Sequence, residues 1–290
     1  MSDGKPGAAQ GEGPLAIICG GGSLPFAVAD AALRQGRSVV LFALRGLADP
    51  SRVQNYPHHW ARLGQFGRFC RTARLEGCRD VVFIGSAVRP ALWQIWPDMA
   101  TIRLLPRIIG MFRGGDGHMM SSLMQIFEDH GFQPIGAHDV APEILLPEGP
   151  LGRFRPSRSN RDDIALGFSL LRAIGRFDVG QAAIVASRHV LAVEAADGTD
   201  EMLAHVAELR RRGRIRSSGG VLVKAPKPGQ DRRIDLPTIG PSTIEGAGRA
   251  GLEGIAVIAG GAIIAEAERV TQAADRDRIF IVGMPEDRSA

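Results

Sequence analysis

Apolar runs of five to seven residues punctuate the first half of the chain, each followed by glycine and then by a segment with helical spacing. LAIIC (15–19) is short and continuously apolar, as a strand covered on both faces must be. GGGSLP follows, and Pro25 suits the first turn of a helix, where its missing donor costs nothing. Gly36 ends that helix ahead of the apolar run SVVLFAL. FCRTARLEGCRDVVFIG repeats the pattern, with a helix stopped by Gly77 and a strand over 81–85. A helical region over 101–111 comes next. SLMQIFEDHGFQPIGAH then predicts another helix, a glycine stop and a strand. Strand and helix alternating in this way predict a Rossmann-like parallel sheet with helices on both faces.

Over 147–161 the pattern breaks into Pro, Gly, Arg and Ser (PEGPLGRFRPSRSNR), the composition of a linker. Beyond it come a helix over 162–174 and two strands around a turn at Ser187-Arg188-His189. A helix over 200–212, the strand GVLVKA and a helix over 243–250 follow. GIAVIAGGAIIA reads as a strand pair, followed by a helix to about 275 and the last strand RIFIVGM. The expected fold class is therefore α/β in two domains: a tail over 1–14, an N-terminal ligand-binding domain over 15–146, a linker over 147–161, and a mixed α/β catalytic domain over 162–290.

Composition narrows the function classes. The chain has 290 residues, 44% hydrophobic and 23% charged, and no apolar run approaches the roughly 20 residues that span a bilayer. The opening MSDGKPGAAQGEG lacks the apolar centre of a signal peptide. Cys19, Cys70 and Cys78 show no metal or redox spacing and read as reduced, buried thiols of a cytoplasmic protein. Net charge is only +4, but RRRGRIR and GRFRPSRSNR concentrate the arginines, either as solvated faces or as attraction to an anionic partner. Nucleic acid is disfavoured, because a single tyrosine and few other aromatics leave little to stack on bases.

Four stretches carry candidate chemistry. At Gly20-Gly21-Gly22-Ser23-Leu24, glycines at a strand-to-helix turn let amides approach an anion. The spacing is not G-x-G-x-x-G, and FALRG offers no acid for a ribose; Arg45 for a 2′-phosphate would make this an NADP-dependent oxidoreductase. FRGGDGHMM places Gly115, Asp116, Gly117 and His118 together, as a ligand contact or as a loop in which Asp116 caps a helix. In VEAADGTDEM, Gly198 makes a turn and Thr199 or Asp200 caps a helix, which leaves Glu194 at a strand's carboxyl end unexplained. KAPKPGQDRRIDLPTIG is the richest. Three prolines stiffen it, Lys224 and Lys227 offer cations for phosphate, and Asp231 and Asp235 are hard oxygen donors suited to Mg²⁺. The competing picture is a surface loop in which Arg232 and Arg233 pair with the aspartates.

GGGSLP, GGDGH, AVEAADGTDEM, KAPKPGQDRRIDLPTIGPSTIE and AGLEGIAVIAGGAII, in that order, resemble the LpxI family, the UDP-2,3-diacylglucosamine pyrophosphatases of lipid A biosynthesis. The resemblance runs from about residue 15 to 284. It implies Mg²⁺-dependent hydrolysis of UDP-2,3-diacylglucosamine to lipid X (2,3-diacylglucosamine 1-phosphate) and UMP, with water attacking the sugar-side phosphorus. It also implies a cytoplasmic protein working at the inner face of the inner membrane, and a homodimer. On this reading Asp231 is the leading catalytic acid, ligating Mg²⁺ or orienting water, and Asp235 the second, both metal candidates, with Glu194 and Asp200 as lower-ranked ones. Lys224 and Lys227 hold phosphate oxygens. Gly21, Gly22, Ser23, Leu24, Gly115, Asp116, Gly117, His118, Gly198, Thr199, Gln230 and Thr238 contact substrate. ALWQIWPDMATIRLLPRIIGMF and Met119, Met120 and Met124 either line a path for two acyl chains or are ordinary core. A non-catalytic lipid-phosphate carrier would use the same residues.

Overall fold

The structure is a computed structural model that describes residues 13–86, 96–111, 116–177, 179–228, 230–234 and 236–286, without the side chains of 111 and 116–119. The expected tail up to residue 12, Gly115 and Asp235 lie outside the described residues. The chain divides into two compact units between Pro142 and Glu143.

The first unit runs β1 (Leu15–Cys19), α1 (Leu24–Arg34), β2 (Val39–Leu44), α2 (Pro50–Val53), β3 (His58–Ala61), α3 (Phe66–Leu75), β4 (Asp80–Ile84), α4 (Met99–Met111), α5 (Asp116–Asp129), β5 (Gln133–Pro134) and α6 (Ala137–Val140). Its five strands form one sheet in the order β3-β2-β1-β4-β5. Every pairing is parallel, with Ile17 set between Leu41 and Val82. Leu15, Ala16, Ile17 and Cys19 are fully covered, which is why β1 has no polar alternation. On one face Phe42 meets Phe69 edge-on with ring centroids 4.7 Å apart, and Phe127 packs 5.3 Å from Phe69. Met124 is buried, so that methionine is core. Strand β3, HHWA, gave no apolar signal because each of its residues is only half-buried at the sheet edge.

The three cysteines are free and buried, and burial pushes each thiol up to about 11. A thiol reagent at neutral pH should label the native protein at least about tenfold more slowly than the same protein in denaturant.

The second unit runs β6 (Gly149–Leu151), α7 (Arg158–Ile174), β7 (Ala182–Ala186), β8 (His189–Val193), α8 (Gly198–Arg211), β9 (Val221–Lys224), β10 (Thr238–Ile239), α9 (Pro241–Arg249), β11 (Gly254–Ile258), β12 (Ile263–Ile264), α10 (Ala267–Asp277) and β13 (Phe280–Met284). Its main sheet has the order β6-β13-β11-β9-β7-β8. β13, β11 and β9 are parallel, while β6, β7 and β8 join antiparallel. The β7–β8 turn holds Ser187 and Arg188 at φ 51° and 61°. The buried Asp163 carboxylate accepts from both of their amides, at 3.1 and 2.6 Å, and so fixes a left-handed turn without glycine.

Two expectations need correction. The segment 147–161 is not a free linker: Gly149–Leu151 adds an edge strand to β13, and α7 begins at Arg158 rather than at 162. Ser157 and Asn160 form its capping box, hidden in an Arg/Ser-rich composition. GIAVIAGGAIIA does hold two strands, but they do not pair with each other: β12 leaves the main sheet and pairs in parallel with β10 as a separate two-stranded sheet. No helix among the described residues is long and apolar enough to cross a membrane.

Candidate functional site

In the first unit the turn after β1 falls where the sheet order reverses, between β1 and β4, the place where open α/β sheets hold ligands. The amide of Gly20 donates to Ile84 O at 3.0 Å, and Gly21 and Ser86 exchange two backbone bonds at 2.9 Å. Those amides are therefore engaged with β4 and not offered to an anion. None of the described hydrogen bonds uses the amides of Gly22, Ser23 or Leu24, which front the uncapped start of α1. Arg45 lies over the Trp60 ring at 5.6 Å. Asp116, Gly117 and His118 open α5, with Asp116 its first residue rather than the residue preceding it, and their side chains lie outside the description, as does Gly115.

In the second unit, Glu194 follows β8 and is buried. One carboxylate oxygen accepts from the Gln181 amide at 2.8 Å and the other from the Thr199 hydroxyl at 2.5 Å. Thr199 is thus not a helix cap, and neither is Asp200. α8 starts at Gly198, whose φ of 85° makes the turn, and Asp197 stands at the cap position. Asp200 is exposed in the first turn, where the helix dipole favours an acid.

Lys224 ends β9 almost fully buried, and its ammonium donates to Thr238 O at 3.0 Å. Thr238 in turn opens β10 and bonds Leu236 O through its hydroxyl at 3.3 Å. The chain then folds into a tight turn: Lys227 N donates to Gln230 Oε1 at 2.8 Å, and Gln230 N returns a bond to Lys227 O at 3.1 Å. Pro228 packs on Gly175, where an added Cβ would approach its ring to 2.4 Å. Asp231 accepts from Arg233 three ways, from N at 3.1 Å, Nε at 3.0 Å and Nη2 at 2.7 Å. That guanidinium holds the Asp231 carboxyl below the usual carboxylate range. The surface-loop picture holds for Arg233, which pairs with Asp231, whereas among the described residues Arg232 reaches Glu286 at 2.5 Å and no aspartate.

These residues border a cavity of about 290 Å³ lined by Lys227, Gln230, Arg232, Glu286, Phe168 and Arg172. Ala225, Ile258 and Glu286 also line it, which places it beyond the carboxyl ends of β9, β11 and β13. Asp231 sits in sequence between two of the lining residues. Phe168 and Arg172 of α7 were missed; their i,i+4 spacing was the available signal. Lys224 and Thr238 form one link at the end of β9, Lys227 and Gln230 a second in the turn beyond it, and Asp231 pairs with Arg233. Glu194 and Thr199 form a separate link. Among the described residues no three His, Cys, Asp or Glu converge as a metal cage, so Asp231, Glu194 and Asp200 do not form one.

An open parallel sheet with a glycine turn at its reversal, then a mixed sheet with a cationic cavity at its strand ends, defines a two-domain α/β protein suited to an anionic ligand. Residues 14–144 match the LpxI N-terminal domain and residues 147–282 the LpxI C-terminal domain, and the chain belongs to the LpxI family. It is 42% identical over 277 residues to a Caulobacter vibrioides protein, UDP-2,3-diacylglucosamine pyrophosphatase LpxI, covering 94% of this chain and 99% of that one. A solved UDP-glucose-4-epimerase from Stenotrophomonas maltophila, with bound NAD and formylated UDP-arabinopyranose, overlays 42% of this chain and 35% of its own at 14% identity. Its TM-score of 0.28 carries no argument.

Proposed function

We propose that this protein hydrolyses the pyrophosphate bond of UDP-2,3-diacylglucosamine, releasing UMP and lipid X, with Mg²⁺ as cofactor, and that it meets its lipid substrate at the inner face of the inner membrane. The observation that carries the reading is 42% identity along nearly the whole chain to a protein of that activity. The ionised Asp231, beside a cavity edged by Lys227 and Arg232, suits it chemically.

The residues divide the work as follows. Lys227 and Lys224 at the end of β9 hold phosphate oxygens, and the Lys227–Gln230 turn keeps the polar groups rigid before substrate arrives. Asp231 orients the attacking water in line with the sugar-side phosphorus; a new P–O bond forms, the anhydride P–O bond breaks, and UMP leaves with the bond's electron pair. In the first unit the amides of Gly22, Ser23 and Leu24 suit an anionic group. The donor set fits Mg²⁺ as a shared ion rather than a caged one, since Mg²⁺ is commonly bound by one or two carboxylates with substrate phosphates and water. Asp231 would hold it, with Asp235 of the same stretch as second ligand. When bound, Mg²⁺ neutralises charge developing on the departing phosphate.

Incubation with UDP-2,3-diacylglucosamine and Mg²⁺ should yield UMP and lipid X in equal amounts, followed by mass spectrometry. EDTA should abolish the release and added Mg²⁺ restore it. Full turnover in chelator removes the metal from the mechanism, and binding of lipid X without any UMP makes the protein a carrier. Hydrolysis in ¹⁸O-water should label lipid X, and label in UMP instead overturns attack at the sugar-side phosphorus.

A further inference from the structure

Helix α4 turns an apolar face outward. Met99 (66% exposed), Ile102 (46%), Leu105 (46%) and Ile109 (51%) recur at spacings of three, three and four, which puts them on one side of the helix. Thr101, Leu104 and Ile108 point the other way and are buried or half-buried. Trp96, just ahead of the helix, is 58% exposed, and the Arg62 guanidinium lies 4.8 Å from its ring centroid. A contiguous set of large apolar side chains facing water marks a surface that docks on something.

The charge around the face says what. Neither α3 nor α4 carries an acidic side chain, yet together they carry Arg68, Arg71, Arg74, Arg103 and Arg107. Arg103 and Arg107 follow the apolar positions at one edge, and Arg107 reaches Asp129. Among the described residues no carboxylate lies within ion-pair reach of Arg71 or Arg103. Asp98, the nearest acid in sequence, spends its oxygens on the amides of Thr101 and Arg68. An apolar face with a tryptophan at its end and arginines along its flank matches a bilayer surface with anionic headgroups, where rings settle at the headgroup level and cations add electrostatic attraction.

We propose that α4 is a membrane-docking helix that lies in the plane of an anionic lipid surface, with Met99, Ile102, Leu105 and Ile109 in the acyl boundary and Arg103 among the headgroups. The surface belongs to the first unit and the cavity to the second, and docking needs no substrate. The full-length protein should therefore float with phosphatidylglycerol-containing vesicles that contain no UDP-lipid. Binding should be at least about tenfold weaker to phosphatidylcholine alone and should fall as salt rises.

The double variant Ile102→Glu/Leu105→Glu should lose vesicle binding at least about tenfold. Arg103→Glu should weaken it severalfold, chiefly at low salt. All three positions are exposed, so the thermal midpoints should stay near that of the parent. Parent protein that binds anionic vesicles no better than neutral ones overturns the proposal, and so does a double variant that binds like the parent. A parent dimer that the double variant converts to monomer, with no vesicle binding in either, gives the face to a second copy and overturns it too. Substrate hydrolysis is measured separately in detergent, so failure of the hydrolase reading leaves this result untouched.

Discussion

Asp231→Ala should lower turnover by about a thousandfold or more while leaving lipid X binding and the thermal midpoint close to those of the parent. The two halves of this result have different causes. Asp231 and Arg233 form a partly exposed pair, with side chains 18% and 38% accessible, and such a pair contributes about 0–1 kcal/mol. Losing it does not unfold the second unit. On the proposed function, losing the Asp231 carboxylate would remove the group assigned to orient water and hold Mg²⁺. Asp231→Asn keeps the shape and the bond to Arg233 but not the charge, so its rate should fall nearly as far. Near-parental turnover in either variant takes Asp231 out of the mechanism.

The same contact sets a pH expectation. The folded pKa of Asp231 lies below its unfolded value, so the stability it contributes is complete above the unfolded aspartate range, near 3.9. That contribution is lost as pH falls through the lower folded value. Asp231 accordingly remains ionised from pH 5 upward, and any acidic limb of kcat/KM seen above about pH 5 should persist in variants of Arg233.

What could be read from the chain, and what could not, follows from where the physical signal lies. β1, β9 and β11 announced themselves because strands covered on both faces leave no polar alternation, and their bounds followed from the flanking glycines and prolines. β3, β6 and β10 did not, because edge strands and two-residue strands bury little and carry no period. At the site, the stretch after β9 was legible as irregular backbone from its prolines, but the Lys227–Gln230 turn within it was not singled out. The Arg232 contact was not legible either, since its partner Glu286 lies 54 positions away and no local pattern encodes that contact. Thr199 was misassigned because a threonine before a helix suits a cap on local grounds, whereas the fold brings Glu194 to its hydroxyl. The outward face of α4 was invisible for a related reason: hydrophobic periodicity locates an apolar face but not what covers it.

A large stability loss should follow Gly85→Ala. Gly85 has φ 107°, which L side chains rarely adopt, and an added Cβ would lie 2.7 Å from Gly21 O, 2.8 Å from Gly20 C and 2.9 Å from Gly20 Cα. All three are backbone atoms of the turn after β1, pinned by the paired bonds between Gly21 and Ser86, so none has a rotamer through which to yield. Dihedral strain and clash together should cost about 3 kcal/mol or more, read as a lower urea midpoint for the first unit. Gly22→Ala separates the two causes, because its φ is 87° but nothing lies within 4 Å of its added Cβ. It should cost only the conformational part, about 1 kcal/mol. Equal losses at the two positions mean that β4 does not press on the turn as described. A much larger loss at Gly85 shows that the glycines of this turn serve the close approach of β1 and β4, where Gly85 meets Gly20 and Gly21.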